Sequence, residues 1–508
     1  MKRSHLLKVL LVSAEAAPLV SVGGLSQVLY YLPRALKKLG VDARIMIPKF
    51  ASIDEKVFPT KMIYKGLSVP TGERKGTTEL ICNVKLYESE PGDPPMYLLE
   101  NMEYFEKRAN VYGYSDDHTR FALLSRGALE FIKKSNWKPT IIHANDWHTG
   151  YLVNDLRTIY ASDPILRSIA SLLSIHNLHQ GVFDFTHASA LDFDDGKGQL
   201  TSFFSDRLVK QNSLKRGIIY ADIVNTVSQR YSREIMTPEY GQGLGDLLKE
   251  VRTKVYGILN GIDYEEFNPA TDKIIKKDFS LKNLDDRVEN KIDLQKEFNL
   301  AVDAKKPILA VSGRLDMQKG LDLLVEVLPF LLEEYPIQFI AMGSGDNALR
   351  EQFELLEKKY PKQVATHLMA NFTLPRKIYS GADMFILPSR YEPGGIVIME
   401  AMRYGCVPVV RATGGCADTV SDYDPQTKQG TGFAFKNFEA MALLSTLVRA
   451  LELYKLPSHW RRIVKACMSK DFSWEYAAKQ YLDLYDRAIA FKSQQLLEKP
   501  LQKYRVRY

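Results

Sequence analysis

A chain of 508 residues exceeds what one hydrophobic core serves, so two or three domains are expected. Hydrophobic residues at 45% and charged residues at 25% fit a globular protein, and a net charge of +7 suits anionic small molecules while falling short of a nucleic-acid footprint. The four cysteines, Cys82, Cys406, Cys416 and Cys467, form no C-x-x-C pair; this speaks against a zinc knuckle or a disulfide framework and for a reducing, cytoplasmic setting.

The opening "MKRSHLLKVLLVSAEA" has the basic start and apolar stretch of a secretory leader. Lys8 interrupts the run, so "KVLLVSA" reads instead as a buried first strand of a parallel sheet. "GLSQVLYYLPRALKKLG" is then a helix closed by Gly40, and "DARIMIP" a second strand. Between the first strand and the helix, the paired Gly23 and Gly24 mark a sharp bend or the close approach of a ligand. Further strands are predicted in "TELICNVKLYE", "PMYLLE", "PTIIHAND", "SIASLLSIHN" and "ADIVNTVS", with a helix in "RFALLSRGALEFIKKS". Several strands end in polar residues, where ligands bind in a parallel sheet covered by helices.

The pattern restarts after a charged stretch, "PATDKIIKKDFSLKNLDDRVENKIDLQKEFNL", which reads as a linker plus a surface helix. "PILAVSGRL", "QFIAMGSGD", "QVATHLMA", "MFILPSRYE" and "VPVVRATGG" are five more strands separated by helical patterns. The expected fold is α/β, with two Rossmann-like doubly wound domains facing a cleft. The domains expected are 1–268, 269–482, and a helix or tail over 483–508 packing back toward the first. No apolar run reaches the ~20 residues that span a bilayer, so a membrane is not an expected partner; nor, at this modest net charge, is nucleic acid.

Two motifs carry chemistry. "SGRLDMQKG" places Arg314 and Lys319 after a strand, suited to a diphosphate. "PSRYEPGGIVIMEAM" places Glu392 before a glycine-rich helix start and Glu400 inside the helix. Bare backbone N–H groups there favour an anion, and the two carboxylates suit sugar and ribose hydroxyls. His143 and His148 flank Asp146, but without a further ligand cluster the trio does not read as a metal site. "LDFDDGKG" holds a D-F-D that reads as a polar surface loop, and "MGSGDNAL" reads as the turn after a strand.

The ordered pieces "SAEAAP", "YFEKRANVYGYSDDHTRFALLSRGALE", "HANDWHTGY", "SIHNLHQGVF", "YADIVNTVS", "GILNGIDYEEFNP", "SGRLDMQKG", "GADMFILPSRYEPGG", "RATGGCADTV", "GTGFAF" and "DFSWEYAAKQYLDLY" resemble the glycogen/starch synthases, retaining glucosyltransferases of the GT-B fold. The resemblance implies that Arg314 and Lys319 grip the donor diphosphate, Glu392 contacts the transferred glucose and Glu400 the donor ribose. It places the backbone of Gly394, Gly395 and Ile396 over the sugar or distal phosphate, and Thr413 to Gly415 at the nucleotide end. His176 and Asn177 are expected against the glucosyl ring, Asp146 toward the acceptor, and Gly23 and Gly24 against the donor. The reaction implied transfers glucose from ADP-glucose or UDP-glucose to the non-reducing end of an α-1,4-glucan, with no metal or cofactor. The family pattern K-x-G-G-L-x-D-V has Ser21 in place of its lysine and Gln27 in place of its aspartate, which leaves the donor nucleotide open. Alternatives are a GT-B transferase with a smaller acceptor, a non-catalytic binding relative, and a dehydrogenase; the last is weakened because neither half opens with the dinucleotide fingerprint.

Overall fold

The computed structural model describes residues 7–178, 194–371 and 373–504. The chain divides into two compact units, one formed by residues 1–227, 232–258 and 474–508, the other by 228–231 and 259–473. The crossovers therefore fall after Ile258 and Ser473, earlier than the boundaries at 268 and 482 read from the sequence.

In the first unit the strands are β1 (Lys8–Val12), β2 (Asp42–Pro48), β3 (Thr60–Pro70), β4 (Glu79–Tyr87), β5 (Met96–Glu100), β6 (Ile141–Asn145), β7 (Ala170–Ile175), β8 (Ile223–Thr226) and β9 (Val255–Gly257). Among the described residues they form one sheet in the order β3-β4-β5-β2-β1-β6-β7-β8-β9. The β5-to-β9 portion is parallel, and β3 and β4 extend it as an antiparallel edge. The central strands are buried and largely apolar because helices cover both faces; Val9, Leu11 and Val12 are wholly buried. The Gly24–Lys38 helix buries Leu25, Val28, Leu29, Leu32 and Leu36, one stripe at helical spacing. Gly40, at φ 83°, follows its end.

The second unit holds β10 (Ile308–Ser312), β11 (Gln338–Met342), β12 (Val364–His367), β13 (Met384–Leu387), β14 (Val407–Arg411) and β15 (Phe433–Phe435). Their order is β12-β11-β10-β13-β14-β15, parallel throughout. In relative terms this is 3-2-1-4-5-6, the doubly wound dinucleotide-fold order. Both sheets reverse direction of growth at one point, beside β1 and β6 in the first unit and between β10 and β13 in the second. Ligand loops of doubly wound sheets emerge at such points.

The Trp474–Tyr504 helix belongs wholly to the first unit, not from residue 483 only. The reason is aromatic anchoring. Trp474 stacks on Tyr31 at 6.2 Å between ring centroids, Tyr481 accepts a hydrogen bond from Asn225 at 3.1 Å, and Tyr485 meets His143 at 2.9 Å. No helix among the described residues is long and apolar enough to cross a membrane.

Candidate active site

The residues picked out by sequence divide between the units: Gly23, Gly24, Asp146, His176 and Asn177 in the first, the rest in the second. In the first unit they follow three neighbouring strands, β1, β6 and β7. After β1 the chain reaches Glu15, whose Oε2 accepts the backbone N–H groups of Val22 at 2.6 Å and Gly23 at 3.1 Å. Burial pushes this carboxyl up, and the two N–H groups oppose the shift. Ser21 is exposed and shares a 2.9 Å hydrogen bond with the Ser26 hydroxyl. Gly23, at φ −146°, caps the following helix in extended backbone. A Cβ on Gly24 would meet nothing within 4 Å. Neither the local conformation nor the packing of the folded chain therefore demands glycine at 24.

Asp146 follows β6 with φ 57° and ψ −174°, a region that costs a non-glycine residue about 1–3 kcal/mol. Two backbone hydrogen bonds hold it there. Its N–H donates to the Ser174 carbonyl at 2.8 Å, and its Oδ1 accepts the His176 N–H at 2.7 Å. Burial pushes its carboxyl up to about 7, against the lowering by the His176 and Asn177 N–H groups.

His176 Nε2 lies 3.0 Å from Asn145 Oδ1. The Asn145 amide NH₂ donates to the carbonyls of Val12 and His143, each at 3.1 Å, which fixes the oxygen toward the ring. His176 must then carry its proton on Nε2 and present Nδ1 as an acceptor. Burial holds the ring neutral, its pKa down to about 4.

The flanking histidines are core residues. His143 is bracketed by Tyr485 and by Ser174 Oγ at 2.7 Å, and burial lowers it to about 3. His148 packs its ring against Trp147 and Phe121, with centroids 4.2 and 4.7 Å away. The "LDFDDGKG" reading needs correction. Residues 191–193 lie outside the described residues, but Asp194 is buried and takes Arg216 in a two-pronged pair at 2.8 and 3.2 Å.

In the second unit Arg314 and Lys319 sit on the loop after β10. Arg314 is 66% exposed and pairs with Asp316 at 2.8 Å, so its guanidinium is open to a ligand. Lys319 Nζ is 2.7 Å from Glu392 Oε2, which also accepts the Ser389 hydroxyl at 3.0 Å. Glu392 follows β13 and is 6% exposed. Arg390, beside it, ties the two loops together by donating to the Met317 carbonyl at 3.0 Å and pairing with Asp322 at 2.6 Å. The "MGSGD" turn braces the same loop: Leu315 N donates to Ser344 O at 2.9 Å and Asp346 N to Leu315 O at 2.7 Å.

Two glycines set how closely these loops meet. Gly320, at φ 65°, would place a Cβ 2.1 Å from the Pro388 carbonyl; Gly414, at φ 43°, would place one 2.0 Å from the Glu392 carbonyl. Gly414 opens the short Gly414–Thr419 helix, capped by the buried Thr413, and Gly415 N donates to Glu392 O at 2.8 Å. Gly394 and Gly395 lead into the Ile396–Arg403 helix, with Gly395 as its cap. On that helix Glu400 accepts the Tyr379 hydroxyl at 3.2 Å, and burial pushes its carboxyl up to about 7.

Sequence reasoning missed Glu15, Asn145 and Ser389. Glu15 stood in "SAEAAP" without a role, although a carboxylate just past a buried strand needs partners. Ser389 bonds Glu392 three residues on in the same loop, and nothing in the sequence marks that hydroxyl; Asn145 bonds Val12 and His176, on or after other strands, which no local pattern announces. Among the described residues no group of three or more His, Cys, Asp or Glu side chains could hold a metal ion.

Comparison with known proteins gives consistent matches. The family described as starch synthase catalytic domain matches residues 8–250, and the family described as glycosyl transferases group 1 matches residues 293–466. A glycogen synthase from Thermotoga petrophila is 40% identical, covering 95% of this chain and 99% of its own. One from Clostridium beijerinckii is 39% identical over 94% and 98%. The solved catalytic domain of starch synthase IV from Arabidopsis thaliana, bound to ADP and acarbose, superposes with a TM-score of 0.79 at 31% identity, covering 96% of this chain and all of that one. Sucrose-phosphate synthase from Thermosynechococcus elongatus shares the fold at a TM-score of 0.55 and 19% identity, covering 95% of this chain and 99% of that one. The chain belongs to the glycogen/starch synthase family, glycosyltransferases built on the GT-B fold.

Proposed function

We propose that the enzyme transfers glucose from ADP-glucose to the non-reducing end of an α-1,4-glucan with retention, without a metal or other cofactor. The bond from the anomeric carbon to the diphosphate breaks, and a bond to the acceptor hydroxyl oxygen forms on the same face. The departing phosphate oxygen takes the hydroxyl proton, and a nucleoside diphosphate leaves. Arg314 and Lys319 offset the charge that develops on the diphosphate, in the manner of preorganised cations. Glu392 and the backbone of Gly394, Gly395 and Ile396 receive the glucose and distal phosphate, Glu400 the ribose, and Thr413 and Gly414 the nucleotide end. His176 and Asn177 line the glucosyl ring, with Asp146 toward the acceptor.

The observation that carries this reading is the pairing of Lys319 with the buried Glu392 at 2.7 Å beside the open Arg314 guanidinium, at the switch point of a dinucleotide-type sheet. Two cations and a fixed carboxylate there suit a sugar diphosphate. The family's glycogen synthases favour a glucan acceptor, and the ADP in the Arabidopsis starch synthase favours adenine. The absence of the family lysine at Ser21 shifts the phosphate charge onto Arg314 and Lys319.

The test is side-by-side transfer of labelled glucose from ADP-glucose and UDP-glucose onto glycogen. Incorporation is expected to be faster from ADP-glucose, and Ser21→Lys is expected to raise the rate or tighten donor binding about threefold or more. No incorporation from either donor across a panel of glucans overturns the proposal.

A further inference from the structure

The second unit contains a cavity of about 650 Å³ to which nothing above assigns a role. It opens at the end of the sheet opposite the donor loops. Pro307, Ile337 and Asp383 line it, and they directly precede β10, β11 and β13, whose far ends lead to Arg314, Ser344 and Glu392. Three helices complete it: Arg287–Glu297, Ala440–Tyr454 and Pro457–Ser469.

The walls are apolar and aromatic. Val288, Ile337, Leu451, Tyr454, Trp460 and Val464 supply them, and Tyr454 meets Trp460 edge to face at 5.0 Å. The volume falls in the range of metabolite sites, roughly 300–1,000 Å³. Charge is one-sided: five cations line the cavity, Arg287, Lys291, Lys305, Lys455 and Arg461, against the carboxylates of Asp285 and Asp383.

The deep charges are already satisfied. Lys291 Nζ binds Asp383 at 2.8 Å and the Tyr454 hydroxyl at 2.9 Å, and Arg287 donates to the carbonyls of Tyr379, Ala382 and Tyr404. At the mouth, Arg461 is shared with Asp285, Lys455 pairs with Glu452 at 2.7 Å, and the Lys305 ammonium has no carboxylate partner among the described residues. A satisfied floor, apolar walls and one mouth cation, Lys305, without a carboxylate partner among the described residues define the complement: an apolar body carrying one anionic head.

We propose that this cavity binds a small apolar carboxylate, its hydrocarbon or aromatic body against Val288, Leu451 and Trp460 and its carboxylate at Lys305. The site is separate from the proposed transfer chemistry and does not rest on it.

The test titrates the full-length chain with the fluorescent aromatic anion 8-anilinonaphthalene-1-sulfonate, then displaces the probe with decanoate. Val288 is 41% exposed, so Val288→Trp fills the cavity from its rim without disturbing the core, and Lys305→Glu reverses the charge of the mouth. One saturable probe site is expected. Decanoate displaces it, Lys305→Glu weakens it about tenfold, and Val288→Trp abolishes it, with far-UV circular dichroism and glucosyl transfer unchanged in both variants. Probe binding that neither variant alters overturns the proposal. So does displacement by AMP in preference to decanoate, or a dimer in sedimentation that Val288→Trp dissociates, which would make a second copy the occupant.

Discussion

Asn145 decides which nitrogen His176 offers. With its amide NH₂ committed to two carbonyls, its oxygen holds the Nε2 proton and leaves Nδ1 as an acceptor. Asn145→Asp replaces a neutral acceptor with a carboxylate. The groups already near the ring are Asp146, His143 and His148, and desolvation alone sets its present lowered pKa. An added carboxylate favours the imidazolium and raises the His176 pKa by roughly two units. Spectra of the ¹⁵N-histidine-labelled enzyme are expected to show the Nε2–H tautomer in the wild type, with no titration above pH 5. The variant is expected to titrate near pH 6 and to lose about tenfold in kcat/KM at that pH, because a protonated Nδ1 donates where it accepted. An Nδ1–H tautomer in the wild type contradicts the assignment. At this scale the sequence named the candidate ligand-binding side chains but not the residues that hold them. Arg314, Lys319, Glu392 and His176 advertise themselves by charge or ring type after a strand. Asn145 acts through bonds to Val12 and His176, which no local pattern records, while Ser389 acts on Glu392 in its own loop through a hydroxyl that no motif singles out.

At the scale of elements, the loops after β10, β13 and β14 interlock through backbone contact, with Gly320 against Pro388 and Gly414 against Glu392. Gly414→Ala meets both a left-handed backbone and a carbonyl 2.0 Å away. A loss of about 2–3 kcal/mol in urea unfolding is expected, with a weakened donor KM as the Glu392 loop shifts. Gly24→Ala is the contrasting case. Its Cβ has open space in the first turn of a helix, so stability is expected to hold or rise by a few tenths of a kcal/mol. Its donor KM is nevertheless expected to rise severalfold if a ligand closes on that position; unchanged kinetics would remove Gly24 from the site.

The elements legible in the sequence were those with continuous apolar runs or strong helical stripes, such as β1, β2 and the Gly24–Lys38 helix. β3 was missed because most of its residues are not buried and its pairing with β4 is interrupted by register shifts. β9 and β15 were missed because three residues carry no period. The segment read as a surface helix buries Arg287, Asn290 and Lys291, polar residues that a hydrophobic pattern assigns to solvent.

Across the whole molecule, the chain builds a doubly wound sheet twice, the first extended by an antiparallel edge, and returns for a final helix in the first unit. The pattern of apolar strands ending in polar residues revealed the repetition. The return did not show from Trp474 on, because Tyr31, Asn225 and His143, the partners of Trp474, Tyr481 and Tyr485, are hundreds of residues away. What this architecture is proposed to do is extend a glucan one glucosyl unit at a time. The most direct measurement is sizing of the products made from labelled ADP-glucose and maltotetraose in the presence of EDTA. The account predicts a ladder of successively longer α-1,4-linked oligosaccharides, with Lys319→Gln reducing its rate at least a hundredfold. A single product that is not extended, or no labelled oligosaccharide at all, would contradict it.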